Sequence, residues 1–109
     1  MEIQFLYSKD CPSHKEALSR LRRVLKEEGI ATEISIKEVK TEEQAKGLHF
    51  AGSPTVLIDG RDIDPQENVD YLPTCRAYRL EDGRISPLPS AAMIRRAIRA
   101  SKDMQQQNE

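Results

Sequence analysis

A strongly periodic helical segment directly behind a short apolar strand constrains the fold of this chain most. In residues 3–7, Ile3, Phe5 and Tyr7 alternate with their neighbours and predict a short, mostly buried strand. Behind it, apolar residues recur at spacings of one, three and four, which predicts an amphipathic helix. These residues are Ala17, Leu18, Leu21, Val24 and Leu25. Gly29 is placed to end that helix in a left-handed conformation.

Three further segments are typical of strands. Residues 32–36 alternate between apolar and polar types, and residues 55–58 are apolar and rich in β-branched side chains. An acidic segment with two prolines, residues 61–74, predicts an irregular excursion that is longer than a plain hairpin needs. Residues 75–80 then predict the fourth strand.

Two further helices complete the pattern. Thr41 and Gln44 form a capping-box pattern at the start of a short helix, and Ser90 caps a last helix. The order β-α-β-α-β-β-α predicts an α/β fold with a four-stranded mixed sheet and helices on both faces. We expect one domain over residues 1–101 and a disordered tail over residues 102–109.

Composition excludes several classes of function. Hydrophobic residues make up 38% of the 109 residues, and the formal net charge of −1 argues against a general nucleic-acid binder. Since the chain has neither a long apolar run nor a signal-peptide pattern, we expect no membrane contact and a cytoplasmic location. The sequence contains no glycine-rich phosphate loop and predicts no cofactor. In a cytoplasmic chain, two cysteines are expected to be chemically reactive or simply buried, and not to form a structural disulfide framework.

One of these cysteines stands where the first strand meets the first helix. Pro12 suits the first helical position, whereas Ser13 with Glu16 fits a capping box, so two caps stay open. At a helix N-terminus, unpaired N–H groups and the helix dipole favour the Cys11 thiolate over the thiol. His14, one turn along, would add positive charge or a hydrogen bond. The alternative is a capped helix with a small buried cysteine.

The order of elements, with Cys-Pro at this junction, resembles the minimal thioredoxin/glutaredoxin fold. Residues 7–14, Tyr-Ser-Lys-Asp-Cys-Pro-Ser-His, stand where that superfamily keeps its Cys-x-x-Cys, and residues 52–55, Gly-Ser-Pro-Thr, resemble its cis-proline loop. The similarity spans roughly residues 3–100 and is strongest to small prokaryotic thioredoxin-like proteins sometimes labelled alkylmercury lyase-like. That label does not establish an activity.

The resemblance implies a site at the cis-proline loop. Pro54 would be a cis proline that shapes the wall against which an extended substrate chain lies, with the Ser53 backbone offering hydrogen bonds. The implied catalytic residues are Cys11, His14 and Pro54, and the implied substrate-binding residues are Pro12, Ser53 and Thr55.

The chain departs from the redox pattern because His14 replaces the second cysteine. We therefore expect one nucleophilic thiol, Cys11, that forms a mixed disulfide with a protein or small-molecule thiol or disulfide, as in a monothiol oxidoreductase. Release would then need an external thiol. The alternative is a non-catalytic module in which Cys11 and His14 hold a soft metal, or the cis-proline groove holds a partner peptide. In a third alternative, an interaction protein, the thiols matter little.

The second cysteine, Cys75, opens the returning strand. A strand of five or six residues is about 17–20 Å long, so on a plain hairpin Cys75 would lie far from Cys11. A disulfide needs Cα atoms within about 7 Å. The sequence thus predicts a structural or unrelated Cys75, with a redox pair as the exception if the 61–74 excursion changes the route.

The first and last helices are rich in basic residues and are expected on the same face of the sheet. Their outward residues are Arg20, Arg22, Arg23, Lys26, Arg95, Arg96 and Arg99. The short helix carries Glu42 and Glu43 on the opposite face. This pattern predicts a dipolar molecule, whose arginine-rich face provides solubility or steers an acidic partner.

Overall fold

The computed structural model describes residues 1–66 and 69–107. The helices and strands are, in chain order, β1 (Ile3–Tyr7), α1 (His14–Glu27), β2 (Ile34–Glu38), α2 (Glu42–Leu48), β3 (Thr55–Ile58), β4 (Arg61–Asp62), β5 (Tyr78–Arg79), β6 (Ile85–Ser86) and α3 (Ala91–Gln107). Within the described ranges, none of the helices has both the length and the apolar character that crossing a membrane requires.

The main sheet has four strands in the order β2-β1-β3-β4 and is mixed, as the sequence predicts. β1 runs parallel to β2 and antiparallel to β3, with Phe5 opposite both Ile36 and Val56. Because β1 and β3 are antiparallel, the end of β1 and the start of β3 lie at the same end of the sheet, where Leu6 pairs with Thr55. The two loops that the sequence analysis singles out lie at this end of the sheet.

The identity of the fourth strand differs from the prediction. Residues 75–80 were expected to join the sheet, but β4 consists of Arg61 and Asp62, and β5 pairs with β6 in a separate two-stranded ribbon. The physical reason is the turn at Asp59 and Gly60, whose φ angles of 51° and 82° are those of a tight hairpin. The chain therefore pairs with β3 again at once.

Helices cover both faces of the sheet, which confirms that prediction. On one face, sheet residues such as Phe5 and Ile58 pack against both α1 and α3, so these two helices share a face as expected. Leu21 and Ile94, one from each helix, are fully buried there. On the other face, Leu6 packs in a smaller cluster that includes Ala45 of α2.

The last helix continues to Gln107, so the disordered tail predicted over residues 102–109 is wrong for residues 102–107. Residues 108–109 lie outside the described residues. The helix continues because long-range contacts hold its last turns: Ser101 Oγ donates to Asp59, and Lys102 Nζ donates to the carbonyl oxygen of Glu28 at 3.0 Å.

The arginines of the predicted basic face are partly neutralised by acids between the two helices. Arg95 Nη2 lies 3.0 Å from Glu27 Oε2, and Arg99 Nε lies 2.9 Å from Glu28 Oε1. The hydrogen bond from Arg99 holds the pKa of Glu28 below its usual value. The two basic helices do share a face, as predicted, but Glu27 and Glu28 at the end of α1 pair with the arginines of α3 and offset part of its positive charge.

The shared core of α1, α3 and the sheet makes a direct prediction about stability. Ile94→Ala removes a fully buried side chain and should lower the free energy of unfolding by about 2–5 kcal/mol in chemical denaturation. Ile85→Ala is the matched control, because that side chain is 62% exposed and its loss should change stability by less than about 0.5 kcal/mol. Equal losses would contradict this core.

Candidate functional site

Cys11 and Cys75 form a disulfide across 64 residues, with their Cα atoms 5.8 Å apart. Cys11 lies just before α1 and is 2% exposed, whereas Cys75 is exposed. The prediction that Cys75 lies too far away is therefore wrong, and so is the expectation of a lone thiol. The structure has the Cys11–Cys75 pair, which the sequence analysis allowed only if residues 61–74 changed the route of the chain.

The route of the chain explains how Cys75 reaches this position. Instead of opening a strand at the far end of the sheet, Cys75 lies beside the loop that precedes β3. The Ser53 N–H donates to the Thr74 carbonyl at 2.7 Å, and the Arg76 N–H donates to the Ser53 carbonyl at 3.0 Å. These bonds form an isolated parallel bridge between Ser53 and Cys75. Cys11 follows β1 at the same end of the sheet, so the two cysteines meet.

The cis-proline loop has the predicted cis peptide bond, but its side chains bind other parts of the same chain and not a substrate. The Ser53-Pro54 peptide bond is cis, as the resemblance implies. Ser53 Oγ accepts a hydrogen bond from the Ser8 N–H at 2.8 Å, and Thr55 Oγ1 donates to the Gly52 carbonyl at 2.6 Å. Ser53 and Thr55 are fully buried, so their expected contact with a substrate is not available in this structure.

A buried ion pair holds the segment that carries Cys75. The Arg76 guanidinium makes two hydrogen bonds to the Asp62 carboxylate, at 2.8 and 2.9 Å, and one to the Asp64 carbonyl at 2.7 Å. The Arg76 side chain is 2% exposed and that of Asp62 is 16% exposed. Bidentate arginine–carboxylate pairs are directional as well as strong. The pair thus fixes the residue next to Cys75 against β4.

Tyr78 gives the same segment a second attachment. Its hydroxyl donates to the Pro54 carbonyl at 2.5 Å, and the Arg76 guanidinium lies 4.3 Å from the centre of its ring. Burial raises the pKa of Tyr78, so the hydroxyl keeps its proton and stays a donor. Because side chains alternate along an extended chain, Arg76 and Tyr78 point inward while Cys75 and Ala77 are exposed.

The fit between this segment and the cis-proline loop needs a glycine. Gly52 has a φ of 114°, and a Cβ atom there would lie 2.8 Å from the Cβ of Arg76. Sequence reasoning placed Gly52 in the cis-proline loop without giving it a role, and it missed Asp62, Arg76 and Tyr78 as parts of the site. The available signal was the arginine inside a predicted strand, behind an acidic segment that had no assigned partner.

His14 and its neighbours fix the start of α1. His14 Nδ1 lies 2.8 Å from the Cys11 carbonyl oxygen, which only accepts, so Nδ1 carries a proton. The ring stacks on Tyr7 with centroids 4.5 Å apart. Ser13 occupies the N-cap position, as the capping-box alternative requires, but its side chain makes no capping bond to any described residue. The capping box therefore does not form, and the first helical residue is His14 and not Pro12. Pro12 is exposed beside the disulfide.

The soft-metal alternative gains no support from this geometry. Cys11 is bonded to Cys75 and the His14 ring faces a carbonyl group. Over residues 1–66 and 69–107, no group of three or more His, Cys, Asp or Glu side chains is placed to hold a metal ion.

Comparisons with known proteins do not assign the chain to a family. No protein-family model, curated protein or solved structure gives a significant match. Function is therefore inferred from the residues of the site itself.

The ion pair beside Cys75 yields a second prediction about stability. Asp62→Asn leaves the buried Arg76 guanidinium without its charged partner and should lower the free energy of unfolding by about 3 kcal/mol. Asp82→Asn is the matched control, because Asp82 pairs with Arg84 at 2.6 Å on the exposed surface and should cost less than about 1 kcal/mol. If chemical denaturation gave similar losses for both variants, Arg76 would not depend on Asp62.

Proposed function

We propose that this protein performs thiol–disulfide exchange on a thioredoxin-like fold, with Cys11 and Cys75 as its dithiol–disulfide pair. The observation that carries the proposal is the disulfide between a buried cysteine in front of a helix and an exposed cysteine on the facing segment. The sheet order β2-β1-β3-β4 and the cis peptide bond at Pro54 support the fold assignment. Cys75 supplies the second sulfur that position 14 lacks.

Exposure assigns the two sulfurs different roles. Thiol–disulfide exchange proceeds by in-line attack of a thiolate on one sulfur while the other sulfur leaves. Cys75 is exposed and Cys11 is 2% exposed, so an external thiolate attacks Cys75 Sγ and Cys11 leaves. The leaving thiolate lies at the start of α1, where the positive end of the helix dipole stabilises it.

In the oxidising direction, the protein takes two electrons from its partner. A partner thiolate bonds to Cys75 Sγ, the Cys11–Cys75 bond breaks, and Cys11 is released as a thiolate that takes up a proton. A second partner thiol loses its proton, and the resulting thiolate attacks the partner's sulfur in the mixed disulfide. Cys75 leaves as a thiolate and takes up a proton. The partner ends as a disulfide and the protein as a dithiol.

In the reducing direction, the same steps run backward. The Cys75 thiolate attacks a partner disulfide and displaces one partner thiolate. Cys11 then attacks Cys75 Sγ, restores the intramolecular disulfide and displaces the second partner thiolate. Cys11 is thus the resolving thiol, which removes the need for an external one.

Single-cysteine variants test these roles. With Cys11→Ser, the remaining Cys75 should react with glutathione disulfide and keep glutathione as a stable mixed disulfide, seen by intact mass. With Cys75→Ser, the buried Cys11 should react at least about tenfold more slowly. The reduced wild type should accumulate little mixed disulfide, because Cys11 resolves it.

Folding of each variant is checked by circular dichroism before the rates are compared. Faster reaction of the Cys75→Ser variant would reverse the assigned roles. Stable glutathione adducts on the wild type, without an intramolecular disulfide, would contradict the exchange pair.

A further inference from the structure

We infer that this site exchanges with small thiols and disulfides, and not with an extended polypeptide laid along the cis-proline loop. The inference rests on the exchange function proposed above and adds the substrate class. It follows from the position of residues 74–78, which we call the Cys75 segment.

The Cys75 segment occupies the main-chain groups that an extended peptide would need. A peptide strand gains affinity from an exposed sheet edge by pairing with free N–H and carbonyl groups. At Ser53 both groups are engaged, since the N–H donates to Thr74 and the carbonyl accepts from Arg76. The chain supplies its own strand where a partner strand would pair.

The contact between the segment and the loop is also closed to side chains. Ser53, Pro54 and Thr55 are buried. The space above Gly52 is filled so closely that a single added Cβ atom would meet Arg76 at 2.8 Å. A substrate side chain therefore has no groove to enter between the cis-proline loop and the Cys75 segment.

This closure does not depend on the disulfide. Arg76 is held by Asp62 and by the Asp64 carbonyl, and Tyr78 is held by the Pro54 carbonyl. None of these contacts involves either cysteine, so breaking the sulfur–sulfur bond removes none of them. The edge at Ser53 therefore stays occupied in the dithiol form as well.

What solvent still reaches is Cys75 and the residues around it. Cys75 is exposed, as are Thr74 and Ala77 beside it and Pro12 on the opposite loop. A small thiol can approach Cys75 from solvent without main-chain pairing. Its reactivity toward the disulfide is then set by its own pKa and access.

The test compares two blocked thiols of the same chemistry. N-acetylcysteine amide and the pentapeptide acetyl-Ala-Ala-Cys-Ala-Ala-amide are used to reduce the wild-type disulfide, and their second-order rate constants are measured at one pH. We expect the two constants to agree within about threefold, because the peptide gains no backbone pairing. Two added backbone hydrogen bonds would instead raise the peptide rate by roughly 10- to 100-fold.

The outcomes separate the two proposals. A peptide rate at least about tenfold above that of the small thiol would overturn the substrate class and leave the exchange function standing. If neither thiol reduced the disulfide in the folded protein, the exchange function itself would fall, and the substrate class with it.

Hydrogen exchange gives an independent readout of the closed edge. The amides of Ser53 and Arg76 form the bridge, and their protection factors should fall by less than about tenfold when the wild type is reduced. In reduced Asp62→Asn the loss should be larger, while the Asp82→Asn control should match the wild type. Full loss of protection in the reduced wild type would contradict a permanently occupied edge.

Discussion

The position of Cys75 depends on the buried ion pair between Arg76 and Asp62. Asp62 belongs to β4, which the Asp59-Gly60 turn fixes against β3, so the carboxylate is presented at a defined place. Because burying an unpaired guanidinium is costly, the position of Arg76 is set by the Asp62 carboxylate to which it bonds. Cys75, the residue before Arg76, is thereby brought to the end of the sheet where β1 ends and β3 begins.

The sheet supplies the other half of the site. Antiparallel pairing of β1 with β3 brings the loop after β1, with Cys11, next to the loop before β3, with Ser53. Two backbone hydrogen bonds then join Ser53 to the Cys75 segment. The result is a disulfide between a buried residue, Cys11, and an exposed residue, Cys75. Exchange chemistry follows from that asymmetry, and the closed loop restricts what can approach.

The parts of this molecule that were predictable from sequence are those with local causes. The apolar periodicity of residues 17–25 predicted α1, and the apolar run of residues 55–58 predicted β3. The Thr41 capping box and the Ser90 cap also form as expected. The cis bond at Pro54 followed from the resemblance of its loop. The pairing of Cys75 did not, because it depends on where Arg76 finds a carboxylate 14 residues away. No periodicity encodes such a contact.

The central claim is that the fold itself holds Cys75 against Cys11. The most direct measurement is the equilibrium constant of their disulfide against glutathione, in the native protein and in concentrated guanidinium chloride. Closing a 64-residue separation is worth about 4 kcal/mol, so the native fold should favour the disulfide by a factor of about 1000 over the denatured chain. Equal constants in the two conditions would contradict the claim.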